Sequence, residues 1–172
     1  DRNGVTAFYP LVENHHRDGI LRLSRAPCQM PKLEQEGWDY ARRLLKRLDY
    51  VGVLAIEFFV KDGRLIANEM APRVHNSGHW TIEGAETSQI ENHLRAILGS
   101  PLGATAATGH AAMVNGIGDL PERAEVLTLP GAHYHAYDKA PRPGRKVGHI
   151  TLRADDPGVV CAGLKRLLPM VG

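Results

Sequence analysis

Short apolar segments separated by polar turns open the chain. Residues 5–9 and 20–24 are branched, aromatic and partly alternating, which predicts two β-strands. Asp18 and Gly19 supply turn-forming residues before the second strand. After Pro31 the apolar and small positions change to helical spacing, with a cluster of arginines and lysines on the opposite side. The first part of the chain is therefore predicted to contain two strands and an amphipathic helix.

Residues 51–60 form an almost unbroken apolar run that contains one charged side chain, Glu57. The turn residues Asp62 and Gly63 then lead into a second strand-like segment at residues 65–69. This pattern predicts a β-hairpin that carries a carboxylate on each arm, Glu57 and Glu69.

The rest of the chain alternates between helical and strand patterns. Residues 88–98 combine a Ser-x-x-Glu capping pattern with apolar residues at helical spacing, which predicts a helix. Strands are predicted at residues 111–115, 132–137 and 146–152, and a last helix at residues 156–168. Residues 103–109 have the composition of a linker. We therefore predict an α+β fold in two units, residues 1–102 and a small β-rich subdomain at residues 110–172.

Composition narrows the class of protein. The chain has 43% hydrophobic and 23% charged residues, which suits a globular domain with a buried core. A net charge of +2 is too small to indicate nucleic-acid binding. No apolar run approaches the roughly 20 residues that cross a bilayer, so we expect no membrane partner and a cytoplasmic location. Cys28 and Cys161 form no CxxC pair and are predicted to be reduced.

The hairpin loop decides whether the two glutamates can act together, because adjacent strand residues face opposite ways. A two-residue loop would pair Glu57 with Asn68 and turn Glu69 away. A three-residue loop at residues 61–63 would pair Glu57 with Ala67 and place both carboxylates on one face, with Cβ atoms roughly 7 Å apart. That arrangement suits magnesium, which prefers carboxylates and nucleotide phosphates. An unpaired buried charge is also costly, so we favour a metal-ligand role for both glutamates.

The segment after the hairpin is unusually rich in functional groups for a connection. Arg73 can hold a carboxylate or phosphoryl group through two hydrogen bonds, and His75 can move a proton near neutral pH. These two are our candidate catalytic residues, and Asn76 and Ser77 are candidate substrate contacts. A zinc site at His75 and His79 is disfavoured because Ser-Gly interrupts a helix there and no third soft ligand is near.

Residues 137–149 combine cations with prolines and glycines. Such a loop is held in shape by the prolines, and its glycines let backbone amides approach an anion. A phosphate group is the natural ligand, and the alternative is a solvated basic turn.

Two of these segments resemble one known family. Residues 55–59 followed by Asn-Glu-Met-Ala-Pro-Arg-Val-His-Asn-Ser-Gly-His at residues 68–79 resemble the second half of an ATP-grasp domain, in the family of synthases that carboxylate aminoimidazole ribonucleotide. Residues 137–149 resemble the C-terminal subdomain of the same family. The resemblance implies an antiparallel sheet with helices for the first unit, with a small β-rich subdomain after it.

The resemblance also assigns roles to individual residues. It implies that Glu57 and Glu69 hold a magnesium ion that bridges the phosphates of ATP. Asn68 and His16 match residues of the ATP site, together with Glu69. Arg73 and His75 match the site where bicarbonate is phosphorylated. The cations expected to bind the ribonucleotide phosphate are Lys139, Arg145 and Lys146, with Arg142 as a further candidate.

The implied reaction begins with phosphorylation of bicarbonate by ATP. The resulting carboxyphosphate passes its carboxyl group to the exocyclic amine of aminoimidazole ribonucleotide, and ADP and phosphate are released. The family resemblance implies a homodimer. The nearest enzymatic alternative is the formate-dependent glycinamide ribonucleotide transformylase, but His79-Trp80 and the basic turn favour the synthase. A non-catalytic module derived from an ATP-grasp domain is the alternative from another class.

A complete family member also carries a nucleotide-fold domain and a glycine-rich lid with phosphate-binding lysines. This sequence begins at Asp1 and contains no glycine-rich loop followed by a lysine. We therefore expect it to be the C-terminal half of a longer chain, and to hydrolyse ATP negligibly by itself.

Overall fold

The computed structural model describes residues 1–171. An antiparallel hairpin of strands β1 (Glu13–Arg17) and β2 (Ile20–Ala26) follows the N-terminal segment and turns at Asp18 and Gly19. The predicted strand at residues 5–9 is wrong, because that segment belongs to no strand. Two of its backbone carbonyls accept hydrogen bonds from side chains instead. Trp38 donates to the Tyr9 carbonyl, and Thr105 donates to the Phe8 carbonyl.

Helix α1 (Pro31–Leu48) confirms the amphipathic helix predicted after the first hairpin. Pro31 suits its first turn because the missing N–H would have no helical partner there. Asp49 ends the helix in the left-handed conformation, with φ of 48°. The helix packs against the next hairpin around Gly37, where a Cβ would lie 3.5 Å from Leu65.

The carboxylate hairpin consists of β3 (Ala55–Lys61) and β4 (Arg64–Ala71), which form a separate two-stranded sheet. A 3₁₀ turn (Asn76–Gly78) and the short helix α2 (Thr81–Gly84) come next. Helix α3 (Gln89–Leu98) confirms the capping pattern, since the Ser88 hydroxyl accepts from the Glu91 amide.

The second sheet has five strands in the order β1-β2-β5-β7-β6, all antiparallel. Its later strands are β5 (His110–Ile117), β6 (Ala132–Ala136) and β7 (Lys146–Ala154). Helix α4 (Arg123–Val126) precedes β6, and α5 (Pro157–Leu167) with a 3₁₀ turn (Leu168–Met170) ends the described chain.

Strand β5 is buried on both faces. Its residues Ala112 and Val114 pack into a cluster with α5 and β7, whereas Ala111 and Met113 join Leu21 and Trp80 on the other face. This central strand therefore links the two hydrophobic clusters of the molecule.

The predicted α+β class with antiparallel sheets is confirmed. The five-stranded sheet contains strands from both predicted units, because β2 from the first unit pairs with β5 from the second. The division at residues 103–109 stays a prediction.

Cys28 and Cys161 are free thiols. Within residues 1–171, no helix combines the length and apolar character needed to cross a membrane.

Candidate active site

The two hairpin glutamates face each other directly, by a route that neither of the two loop alternatives included. The loop contains two residues, Asp62 and Gly63, with φ of 52° and 70°. A β-bulge then adds Asn68 to β4, so that Phe58 pairs with Ala67 but Glu57 pairs with Glu69. Of the two loops that the sequence left open, the two-residue loop is the one observed. The bulge changes the register by one residue and brings both carboxylates to one face.

Similar irregularities lie beside other candidate residues. The pairing of β1 with β2 shifts at His16 and leaves Arg22 as the extra residue. The pairing of β5 with β7 shifts at Lys146 and leaves Val147 as the extra residue. A bulge redirects the side chains next to it, which is why bulges recur near active sites.

The side chain of His75 lies between the two carboxylates. Its Nε2 atom is 3.1 Å from Oε1 of Glu69, and its Nδ1 atom is 3.8 Å from Oε1 of Glu57. On the other side of Glu57, the Nε2 atom of His16 lies 3.8 Å from Oε2 and the Nδ2 atom of Asn14 lies 3.5 Å from Oε1. Four strand and loop segments thus converge on one pair of carboxylates.

Ligand atoms of Glu57, Glu69 and His75 all lie within 4.8 Å of one another. A hard cation such as magnesium fits the two carboxylates, because it takes oxygen ligands from one or two carboxylates and completes its shell with phosphate and water. The Glu57 side chain is 10% exposed and that of Glu69 is 56% exposed, so the pair is reached from solvent on the Glu69 side. Within the described part of the chain, these three residues are the group of side chains that could hold a metal ion together. The group joins His75 to two carboxylates and does not include His79.

The residues next to His75 have partners within the chain. The Ser77 hydroxyl is buried and lies 2.8 Å from Nδ1 of His75. The amide of Asn76 makes two reciprocal hydrogen bonds of 2.9 and 2.7 Å with the amide of Asn115 on β5. Asn115 also donates to the carbonyl of Leu21. These bonds tie the loop to the five-stranded sheet, and substrate contact by Asn76 and Ser77 stays a prediction.

The imidazole rings of His79, His149 and His135 form a stack. The ring of His149 lies 4.3 Å from that of His135 and 5.2 Å from that of His79. The Tyr137 hydroxyl is 2.7 Å from Nδ1 of His149, and Nε2 of His135 is 2.7 Å from a Glu83 carboxylate oxygen. Burial, reinforced by neighbouring histidines, lowers the pKa of His149 to about 3 and that of His79 to about 4. Both rings are therefore neutral near pH 7.

The basic loop brings one cation into the site. Lys146 is half-buried at the start of β7, and burial lowers the pKa of its amine, while the carboxylates of Glu57 and Glu69 act in the opposite direction. Arg145 is also half-buried. The two remaining candidates of this loop, Lys139 and Arg142, are exposed.

The last two candidates, Arg73 and Asn68, are exposed. Arg73 is exposed and donates to the carbonyl of Val74. Asn68 is exposed and is the extra residue of the bulge in β4, next to Glu69.

Sequence reasoning missed Gln89, Asn115 and His149, which are 3%, 1% and 2% exposed and support the loop. A signal was available for two of them. Asn115 and His149 interrupt strand segments that are otherwise apolar or small, and a buried polar side chain requires partners.

A model of the ATP-grasp domain matches residues 1–90 of the 172-residue chain. The chain belongs to the ATP-grasp family. A model of the phosphoribosylaminoimidazole carboxylase C-terminal domain matches residues 111–161 of this ATP-grasp chain. The two matches fall on either side of the expected linker.

Several relatives of this ATP-grasp chain carry closely similar names. It is 56% identical to the N5-carboxyaminoimidazole ribonucleotide synthase of Pseudomonas aeruginosa over 170 residues, which are 99% of this chain and 47% of that protein. The crystal structure of N5-carboxyaminoimidazole ribonucleotide synthetase from Thermus thermophilus superimposes with a TM-score of 0.97 and 62% identity, over 99% of this chain and 48% of that one.

A third similar structure contains ligands. The Aspergillus clavatus N5-carboxyaminoimidazole synthase, crystallised with ADP and 5-aminoimidazole ribonucleotide, has a TM-score of 0.87 and 36% identity over 95% of this chain and 47% of that one. The present chain thus spans about half the length of the relatives it matches.

Proposed function

We propose that this chain is part of an enzyme that carboxylates 5-aminoimidazole ribonucleotide with bicarbonate, at the expense of ATP, to give N5-carboxyaminoimidazole ribonucleotide, ADP and phosphate in purine biosynthesis. The observation that carries the proposal is the convergence of Glu57, Glu69 and His75 from the hairpin and its loop with Lys146 from the other sheet. Phosphoryl transfer to a small anion requires this combination of metal-binding carboxylates and fixed cations.

Similarity to proteins of that name supports the same activity. The match includes the hairpin, the loop and the basic turn, since it covers 99% of this chain in the P. aeruginosa relative. The A. clavatus structure supports ADP and 5-aminoimidazole ribonucleotide as ligands of the whole protein.

We assign the nucleotide end of the site to the hairpin. Glu57 and Glu69 would hold magnesium, which would neutralise charge on the ATP phosphates. Asn68, at the bulge, and His16, 3.8 Å from Glu57, would contact the nucleotide beside them. The open side of Glu69 leaves room for phosphate oxygens, in agreement with an ATP site.

We assign bicarbonate activation to Arg73 and His75. The bicarbonate oxygen attacks the γ-phosphorus of ATP, the bond to the ADP oxygen breaks, and carboxyphosphate forms. Arg73 supplies a fixed positive charge to the anion, and His75, oriented by Ser77, accepts the proton that bicarbonate loses. The exocyclic amine of the ribonucleotide then attacks the carboxyl carbon, the bond from that carbon to the phosphate oxygen breaks, and the leaving phosphate takes up the proton that the amine loses.

We assign the ribonucleotide phosphate to the basic loop. Lys146 and Arg145 are half-buried, and Lys139 and Arg142 are exposed around them. Asn76 and Ser77 lie between this loop and the hairpin as further proposed substrate contacts. A homodimer in the cytoplasm belongs to the same proposal, and light scattering of the full-length protein measures the subunit number.

The decisive experiment measures ADP release by the full-length protein with magnesium, ATP and bicarbonate. We expect 5-aminoimidazole ribonucleotide to stimulate release. Stimulation only by glycinamide ribonucleotide with formate would transfer the activity to the transformylase class. No stimulation by either mixture would contradict an enzymatic role and favour a binding module.

A further inference from the structure

The buried side chain of Gln89 holds the backbone of His75 at both of its polar groups. Gln89 Oε1 accepts from the His75 amide at 2.9 Å, and Gln89 Nε2 donates to the His75 carbonyl at 2.7 Å. Nε2 also donates to Nδ1 of His79 at 3.0 Å. The amide thereby uses both of its hydrogens and one of its oxygen lone pairs.

This pattern leaves one orientation for the Gln89 amide. Rotating it by 180° would set its NH₂ group against the His75 N–H and its oxygen against the His75 carbonyl, and both contacts would be repulsive. The bond from Nε2 further requires Nδ1 of His79 to be an acceptor, so the proton of the neutral His79 ring resides on Nε2.

The backbone of Gln89 is fixed as well. Its own amide donates to the Thr81 hydroxyl at 2.9 Å, and that hydroxyl donates to the Gly78 carbonyl at 2.6 Å. The side chain packs so closely against the loop that a Cβ at Gly78 would lie 2.5 Å from Gln89 Oε1. Helix α3 therefore supplies a rigid support, and Gln89 is its first residue.

The residue held in this way is the one whose imidazole lies 3.1 Å from Glu69 and 3.8 Å from Glu57. The His75 backbone is extended, with φ of −126° and ψ of 150°, so that its peptide groups meet Gln89 while its ring lies against the carboxylates. We propose that Gln89 is a positioning residue that sets the place of the His75 ring relative to Glu57 and Glu69, and thereby governs turnover. This role rests on the proposed function.

The test compares Gln89→Leu and Gln89→Glu with wild type in the full-length protein. Leucine fills a similar volume without hydrogen bonds, and a glutamate carboxylate at pH 8 keeps the acceptor but loses both donated bonds. Partners that orient an active-site ligand typically contribute about 10-fold to 100-fold, so we expect kcat to fall by that factor in both variants. The Michaelis constant for ATP should change by less than about twofold, because Glu57 and Glu69, the residues assigned to magnesium and ATP, are unchanged.

Asn92→Leu is the matched control. Asn92 is another buried amide on α3, and it bonds to Tyr9 and to the Gly103 carbonyl, away from His75. We expect this variant to lose stability as the Gln89 variants do, with kcat within about twofold of wild type. An equal fall of kcat in Asn92→Leu, or unchanged kcat in either Gln89 variant, would overturn the positioning role.

A crystal structure of full-length Gln89→Leu provides a readout that does not depend on activity. The proposal expects the distance from His75 Nε2 to Glu69 Oε1 to increase from 3.1 Å to beyond hydrogen-bonding range. An unchanged distance would refute the positioning role even if the wild-type protein carries out another reaction. Absence of ribonucleotide-stimulated ADP release by wild type, with the ring displaced in the variant, would refute the proposed function alone.

Discussion

Strands β4 and β5 are each eight residues long but occupy contrasting environments. In β5 the six inner residues are all buried, whereas in β4 Leu65 and Ala71 are buried and the other six residues are exposed. β5 has a strand on each side and a hydrophobic cluster on each face. β4 has one partner strand, and one of its faces carries Glu69. The five-stranded sheet thus provides stability, and the two-stranded sheet presents chemical groups.

The difference has a simple electrostatic reason. A carboxylate in the position of Met113, which is fully buried, would lose its hydration without compensation. On the hairpin, Glu69 remains solvated and can exchange water for a metal ion and phosphate. Partial exposure of the hairpin is therefore a condition for its proposed role.

Removing the charge of Glu69 should have the largest effect on activity. We expect Glu69→Gln to lower ribonucleotide-stimulated ADP release by the full-length protein at least about 100-fold, because even residues that merely orient a metal ligand contribute up to that factor. Glu125→Gln on α4, an exposed carboxylate outside the cluster, is the control. Normal turnover in Glu69→Gln would contradict a metal-ligand role.

Truncation of the five-stranded sheet should have the largest effect on stability. Ile150 on β7 is fully buried, so we expect Ile150→Ala to lower the free energy of unfolding by about 2–5 kcal/mol. The same change at Ile66 on β4, which is 47% exposed, should cost about 0.5 kcal/mol or less. Urea denaturation measures both, and equal losses would break the contrast between the two sheets.

Lys146 lies on β7 in the five-stranded sheet, and the hairpin carboxylates Glu57 and Glu69 act on the pKa of its amine. Loss of a charge-assisted hydrogen bond costs about 1.5–3 kcal/mol, so Lys146→Ala should raise the Michaelis constant for 5-aminoimidazole ribonucleotide roughly 10-fold to 100-fold. Lys165→Ala, an exposed lysine on α5, should leave that constant unchanged. If the constant for the ribonucleotide stays at its wild-type value in Lys146→Ala, phosphate binding by this lysine is excluded.

The buried imidazole of His149 predicts a pH dependence of stability. Its pKa is about 3 in the folded chain and about 6.5 when solvated, so the unfolded state takes up a proton first as the pH falls below 6.5. The free energy of unfolding should then decrease by about 1.4 kcal/mol per pH unit from this group. His149→Phe keeps a ring in the stack and removes the titration. Thermal unfolding between pH 7 and pH 5 should accordingly be less pH-dependent in the variant, and an unchanged slope would refute the assignment.

Predictions made from local signals held for most elements. The Ser88 cap, the Asp62-Gly63 turn and the Asp156 start of the last helix were visible because each depends on residues a few positions apart. Residues 5–9 were misassigned because strand propensity does not say whether a pairing partner exists. The carbonyls of Phe8 and Tyr9 accept hydrogen bonds from Thr105 and Trp38, which no local pattern could indicate.

The candidate site shows the same difference between local signals and partners that are distant in sequence. By itself, the sequence determined which chemical groups the chain contains, that Glu57 and Glu69 lie on one hairpin, and that a loop with Arg73 and His75 follows it. Tertiary structure alone decided that a bulge at Asn68, rather than a longer loop, brings the carboxylates together. It also decided that Gln89 holds His75. Asn115 donates to the carbonyl of Leu21, which lies 94 residues before it in the sequence. Hydrogen-bond partners distant in sequence are selected by packing of the whole fold, and local periodicity carries no information about them.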